Sequence, residues 1–484
     1  MNLKQSIKNW SPGVLQIIVL LTLLQLFITL LTNGFALSAD EAMWHYIGRN
    51  WFRHGLVPYS GGVDNKSPLF FAVFGLSDLF FGVNYWFPRV LGTLCQSAGI
   101  YYIYKIAYHI AGKQAAMLAI SFYGLSVLWH CADGKYVSYT ETYEVLFIII
   151  AFYIFLTRQN NAGAFLSGFP AAVGLGFRLS AIFGIITLFI ASLHRDKKYT
   201  VVFCAGVLAG LGLLAILFVI AGINLGEVFT YALTDNFGTG STTDHSLLWR
   251  LEQLCGMFFY SEMVLFYPLL LAYWFIKRKL DWLLLWLLLE FIGLNIVGNY
   301  ARIQLKDLLP AFSLISAFAV THIIKTYNIS AARAFLIVWV CFFPKLLEPL
   351  VNLKKLFVKD NTKTENISSQ PDESRSKQLG LWIKANTTRN QKVFVAGFGA
   401  QVQVYSERLS PTIYFNVTQT ALAKKRFFAD METNQPDVVL VPRFPEYVKY
   451  VSTDLRKYVD SLVARSYHLE GNLNGYNIYR IKSK

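Results

Sequence analysis

Adjacent carboxylates Asp40 and Glu41, with Lys66 a short loop later, are the residues whose types and spacing suggest chemistry. A carboxylate held at a surface can take a proton from an acceptor hydroxyl, and an ammonium can hold a phosphate as it departs. The same residues also have a plain structural reading. Ser38 would cap a helix whose positive end favours Asp40 and Glu41, and Lys66 would bind lipid headgroups. Glu141 opens a later apolar run, while Arg302 and Lys306 precede Leu309-Pro310, adding a second acid and two bases. His45, Tyr46 and Tyr59 in the first loop are the candidate substrate contacts. The spacing of His45 and His54 matches no metal motif, so interfacial hydrogen bonding is the favoured role; a divalent metal stays open as a cofactor, its ligands unknown.

What must position these groups follows from composition. The 484 residues are 55% hydrophobic, 16% aromatic and 15% charged, with mean hydropathy +0.41. A soluble protein carries about 25% charge, and the recurring apolar runs exclude disorder and collagen, leaving a multi-span membrane protein. Most of the short basic clusters lie between apolar runs, as in His194-Arg195-Asp196-Lys197-Lys198 and Lys277-Arg278-Lys279. That is how cytoplasmic loops fix a topology, so no nucleic-acid partner is expected. Five cysteines without paired short spacings read as small core residues, and a Cys131–Cys255 disulfide is disfavoured.

A helix needs about 20 apolar residues to cross a bilayer, which marks 12–32, 86–108, 114–131, 141–157, 163–178, 180–194, 201–222, 255–276, 281–298, 308–325 and 333–350, about eleven crossings. Placing Lys4 and Lys8 in the cytoplasm puts the other basic clusters there too and sends everything after 350 outside. The apolar run from Val14 to Leu31 is too long for a signal-peptide core, so the first span is read as a retained anchor. Residues 33–85 form a long outer loop whose apolar second half, from Pro68 to Val83, suits a helix lying in the interface. Trp44, Tyr46, Trp51 and Tyr59 fit the headgroup level. The chain divides into a membrane domain (1–350), a linker (351–375) and an extracytoplasmic domain (376–484). Strand candidates Lys392–Phe398, Thr412–Phe415 and Asp437–Val441 alternate with helices before a hairpin at 465–470 and 476–481, predicting a small α/β domain with a largely parallel sheet. Gly397-Phe-Gly399 reads as a plain strand-to-helix turn.

The stretch Asp40-Glu41-Ala42, Tyr46-Ile-Gly-Arg49, Gly55, Pro58-Tyr59 and Asp64-Asn-Lys66-Ser-Pro68-Leu69 resembles the first outer loop of the GT-C membrane glycosyltransferases. The branch is that of the protein O-mannosyltransferases and lipid A aminoarabinose transferases. Glu141 through Tyr153 resembles the family's fourth span, opened by an acidic residue, and Asn299 through Pro310 its polar or basic patch before a late span. Ser67 departs from the family's Lys-Pro-Pro-Leu, Glu141 stands where Asp is usual, and the histidine-tyrosine pair before Leu-Pro is absent. Asp133 and Glu144 therefore compete with Glu141. The resemblance implies a GT-C polytopic helical fold and inverting transfer of a sugar from a polyprenyl-phosphate donor to a lipid, glycan or protein acceptor, with Asp40 as catalytic candidate. Physical reasoning agrees, because nucleotide sugars are absent outside the cytoplasm and a transferase there must use a membrane carrier. Lys66, with Arg302 or Lys306, would hold the donor phosphate.

Each charge placed at that interface is costly, which favours function. Arg178 reads equally as a snorkelling side chain or a phosphate contact, and the loop 223–252 equally as a cover or a connector. A bacterial inner or cell membrane location fits this reading. The competing readings are a transporter or flippase of lipid-linked glycans, against which no internal repeat of the Asp40–Leu69 pattern is found, and an inactive assembly subunit.

Overall fold

The structure is a computed structural model that describes residues 13–31, 37–129, 137–234, 246–259, 261–298, 300–346, 373–413, 415 and 421–482. Among the described residues, each stretch marked as a crossing overlaps a helix or, for 255–276 and 333–350, a run of consecutive helical segments. The pair 86–108 and 114–131 appears as one helical run, Trp86–Ser126, interrupted where Gly112 takes φ 81°. Only glycine enters that left-handed region without strain, so the break sits where the sequence allows it. The stretch 163–194 divides into Asn161–Phe177 and Ala181–Leu193, with Arg178 extended between them.

By length and composition, Thr140–Thr157, Lys197–Ile220 and Leu309–Thr326 can each cross a membrane, and Leu247–Phe259 with Glu262–Lys277, bent by 59°, makes a fourth if the two form one span. Shorter apolar helices, among them Ala181–Leu193, Trp282–Ile296 and Ala331–Phe342, accompany them. On Lys197–Ile220, Val201, Leu208 and Ile220 are exposed, which only an apolar surrounding tolerates along a whole helix.

The chain forms two compact units. One comprises residues 1–33, 89–215 and 244–357. Its core includes Trp286 stacked on Phe152 at 3.9 Å, and Trp129, Phe266 and Phe342 packed together with centroids 4.9–5.6 Å apart. The buried amide of Gln25 donates to Gln96 at 2.6 Å, satisfying both groups away from water. Cys95, Cys204, Cys255 and Cys341 are free thiols, and Cys131 lies outside the described residues. With Cys341 exposed, the reading of all the cysteines as core residues does not extend to that position.

The other unit comprises 34–88, 216–243 and 358–484. Its first part is a helix pair, Ala39–His54 and Pro68–Phe81, crossing so closely at Gly48 and Gly75 that a Cβ on Gly48 would meet the Gly75 nitrogen at 2.4 Å. The aromatic residues expected at the headgroup level are instead interior. Trp44 is buried edge-on against Phe70 at 4.7 Å, on the apolar wall of the second helix; Tyr46 and Tyr59 are buried as well, and only Trp51 of the four stays half-buried.

The C-terminal part carries a four-stranded sheet in the order β1-β2-β4-β3, formed by β1 (Val393–Val395), β2 (Val438–Pro442), β3 (Tyr467–Leu473) and β4 (Tyr476–Ile481). Only β1 and β2 pair in parallel; β2–β4 and β3–β4 are antiparallel, so the sheet is mixed rather than largely parallel. None of the described residues of the expected strand Thr412–Phe415 joins it. The Ile413 N–H and the Thr412 hydroxyl donate to the Asp430 carboxylate at 3.1 and 3.0 Å, and that N–H is lost to a ladder. The hairpin turns at Asn474-Gly475, both at positive φ, as a twisted two-residue turn requires. Gly397 to Gly399 leads from β1 into the helix Ala400–Ser406 as a plain turn.

Candidate functional site

Two clusters of charged residues stand out, one in each unit. The first begins at Ser38. Its hydroxyl accepts from the Glu41 N–H at 3.3 Å, and the Glu41 carboxylate accepts from the Ser38 N–H and hydroxyl, each at 3.0 Å. This capping box satisfies N–H groups the helix cannot, and it gives Glu41, proposed from sequence as catalytic, a structural occupation. Glu41 is accordingly buried, whereas Asp40, one residue earlier in the first turn, is exposed.

Further along the helix, His45 is fully buried, its Nδ1 3.6 Å from Asp78 on the facing helix and its Nε2 accepting from the Asn84 N–H at 3.5 Å. Burial pulls its pKa down to about 4, against the pull of Asp78. A side chain so enclosed is not a substrate contact; it joins the two helices of the loop. Between the unfolded value near 6.5 and the folded value near 4 the unfolded chain binds the extra proton, so stability should fall with falling pH by about 1.4 kcal/mol per unit from this group. Melting in detergent at pH 7 and 4.5, compared with His45→Gln, checks this. The variant should lose less on acidification, and equal losses would remove His45 as the cause.

Tyr46 and Tyr59 are likewise turned away from solvent. The Tyr46 hydroxyl accepts from the Ser410 N–H at 2.8 Å and its ring lies 4.3 Å from Phe415. Tyr59, at φ 71°, stacks on Tyr231 at 5.3 Å and donates to the Lys66 carbonyl at 2.7 Å. Both tyrosines are framework, since the sequence shows an aromatic residue but not which later segment covers it. Lys66 itself is partly exposed. Its ammonium lies 2.5 Å from Asn65 Oδ1, 3.5 Å from Asp64 and 5.9 Å from the Trp44 ring centroid, and the Trp44 indole donates to Asp64 at 2.8 Å. The lysine is therefore aimed, with Asp64 and Trp44 fixing where its charge sits.

The second cluster belongs to the helical unit and centres on Arg178, which is turned inward to carboxylates rather than snorkelling outward. Its guanidinium faces Glu141 at 3.4 Å and Glu144 at 3.3 Å, one turn apart on the helix Thr140–Thr157, and Asp307 at 2.6 Å from a distant segment. Ser180 donates to Glu144 at 2.7 Å and Thr140 to Glu141 at 2.9 Å. Lys306, also buried, donates to the Thr142 hydroxyl at 3.3 Å. Burial pushes the Asp307 carboxyl up to about 6 against the opposing pull of Arg178. Thus Glu141 and Lys306 lie in one buried cluster, while Arg302, at the start of the same short helix as Lys306, is exposed. Glu144, weighed against Glu141, sits in the same cage. Asp133, Asn299, Asp235, Asp244 and His245 lie outside the described residues.

Sequence reasoning passed over Asp307 and did not foresee the carboxylates around Arg178; the signal available was the charged run Arg302 to Asp307 just before Leu309-Pro310 and an apolar run. Among the described residues no group of three or more His, Cys, Asp or Glu is arranged to hold a metal. Glu41 is turned to Ser38 and His45 to Asp78, so a metal shared by Asp40, Glu41 and His45 does not fit this geometry, and no step is routed through one.

These helices and the small mixed sheet have the GT-C fold of solved membrane proteins. ArnT from Cupriavidus metallidurans bound to undecaprenyl phosphate superposes with TM-score 0.66 over 96% of this chain and 97% of its own, at 11% identity. The Archaeoglobus fulgidus oligosaccharyltransferase in complex with zinc and sulfate gives 0.57 over 95% and 72%, at 12% identity. AglB from the same organism, with an inhibitory peptide and a dolichol-phosphate, gives 0.54 over 98% and 74%, at 11% identity. No family model and no curated protein matches the sequence.

Proposed function

We propose that this chain is a membrane glycosyltransferase that moves a sugar from a polyprenyl-phosphate donor to a lipid, glycan or protein acceptor on the extracytoplasmic side, with inversion at the sugar. The observation that carries the reading is a fold shared along 96% of the chain with ArnT bound to undecaprenyl phosphate. In this mechanism Asp40 accepts the proton of the acceptor hydroxyl as its oxygen attacks the anomeric carbon from the face opposite the phosphate. The carbon–oxygen bond to phosphate breaks, and Lys66 stabilises the polyprenyl phosphate that leaves. Glu141 acts by holding Arg178. The N-terminus is assigned to the cytoplasm, and the C-terminal domain, 376–484, to the opposite side.

The test is transfer of labelled sugar from a panel of polyprenyl-phosphate sugars by the purified full-length protein in detergent. Consumption of one donor with transfer to an added acceptor supports the assignment. If no donor is consumed while lipid-linked glycan crosses the bilayer of proteoliposomes, the chain is a transporter that shares the fold. Lys66→Ala should raise KM for the donor by about 10-fold or more, the worth of a charged hydrogen bond, while acceptor KM moves by less than about twofold. Equal effects on both substrates would remove the phosphate role from Lys66.

A further inference from the structure

The helix that presents Asp40 is gripped by the C-terminal domain at three points, none of them expected from sequence. At its entry, the Leu37 N–H donates to the Tyr405 hydroxyl at 3.3 Å, while the Gln401 amide donates to the Leu37 carbonyl at 3.1 Å. Leu37 is thereby held from both sides, immediately before Ser38, the capping residue. One turn beyond Asp40 and Glu41, the Tyr46 hydroxyl accepts from the Ser410 N–H at 2.8 Å. Further on, the buried Arg49 guanidinium donates to the Val404 carbonyl at 2.6 Å and the Gln403 carbonyl at 3.4 Å. Those carbonyls end the helix Ala400–Ser406, where no N–H within that helix follows to satisfy them and where a positive charge suits the dipole.

We infer that the C-terminal domain is a positioning element for Asp40: the segment 401–410 fixes the entry and the rotation of the first-loop helix, and so where the exposed carboxylate points. Helix entry is the softest part of any helix, because its first N–H groups have no partner within the helix. Ser38 and Glu41 supply local partners, but a capping box sets only the local geometry and leaves the direction of the whole helix open. The Leu37 grip and Arg49 lie on either side of Asp40 along the helix, so together they remove both a tilt and a roll. A misplacement of about 1 Å in a reacting group is enough to cost about 100-fold in rate, which gives such a clamp a catalytic consequence. The inference rests on Asp40 being the base; the clamp itself does not.

Two readouts keep these apart. Full-length Tyr405→Phe and Gln401→Ala, each removing one bond to Leu37, are compared with Arg480→Ala, which breaks an ion pair to Glu470 on the β3–β4 hairpin. Hydrogen exchange of the backbone at 38–44 should speed up by about fivefold in the two clamp variants, the worth of one hydrogen bond, and stay unchanged in Arg480→Ala. In transfer assays kcat should fall by about fivefold or more with donor KM unmoved, and the same substitutions should cost less than about twofold when added to Asp40→Glu, where the carboxylate is already displaced. Unchanged exchange at 38–44 overturns the clamp. A kcat loss that is just as large in the Asp40→Glu background overturns its action through Asp40. Faster exchange with no transfer by the wild type leaves the clamp standing and rejects the glycosyltransferase reading.

Discussion

Arg178→Met should destabilise the protein by about 3–5 kcal/mol and abolish activity with the fold, the largest loss expected from any single substitution here. The side chain supplies the positive charge shared by Glu141, Glu144 and Asp307, which are themselves largely buried. Methionine fills much the same volume and removes the charge, leaving the three carboxylates facing one another with little water to screen them. Burial already pushes Asp307 up to about 6, so the favoured response of the variant is to take up protons, each at a cost at neutral pH. Arg178→Lys should recover only part of the stability, because an ammonium is a point charge and cannot present a planar fork to acids from three directions. Arg178→Met combined with Asp307→Asn should be more stable than Arg178→Met alone. Thermal unfolding in detergent measures all three, and a melting point for Arg178→Met within about 2 °C of the wild type would show the cage to be dispensable.

How much of this was legible beforehand depends on the range of the interaction. Helix positions came through, because a crossing helix must satisfy its backbone within itself, leaving length and apolarity to mark it. The break in Trp86–Ser126 was legible for the same local reason, Gly112 standing between two basic or polar flanks. The capping box of Ser38 and Glu41 is a four-residue pattern, local enough to be legible in the sequence. Contacts between distant segments could not. Arg49 meets Val404 across 355 residues, and Arg178 meets Asp307 across 129, so nothing in either neighbourhood names the partner. For that reason Tyr46 and Tyr59 looked like surface aromatics, and Arg178 like a lone cation in an apolar stretch. The strand expected at Thr412–Phe415 failed in the same way. Its β-branched and aromatic residues do favour a strand, but Asp430, arriving on a separate helix, takes the N–H that a ladder would need.

Asp40→Asn should lower kcat by about 100-fold to 10,000-fold with little change in melting temperature, the range over which a positioned general base contributes. Asparagine keeps the size of the side chain and a carbonyl to orient the acceptor hydroxyl, but it cannot take the proton. Because Asp40 is exposed, the exchange leaves the core untouched. The neighbouring carboxylate provides the internal contrast. Glu41→Gln should keep most of the activity, since glutamine can close the same capping box with Ser38; Glu41→Ala should lose stability by about 1 kcal/mol while kcat falls far less than in Asp40→Asn. The two acids are adjacent in sequence and of one chemical type, so composition could not divide catalysis from capping between them. Burial and hydrogen bonding do. Rates of labelled-sugar transfer and melting curves for the three variants, run side by side, decide the matter. Should Glu41→Gln lose transfer and Asp40→Asn retain it, the base is Glu41, and the helix must give up its cap when the acceptor binds.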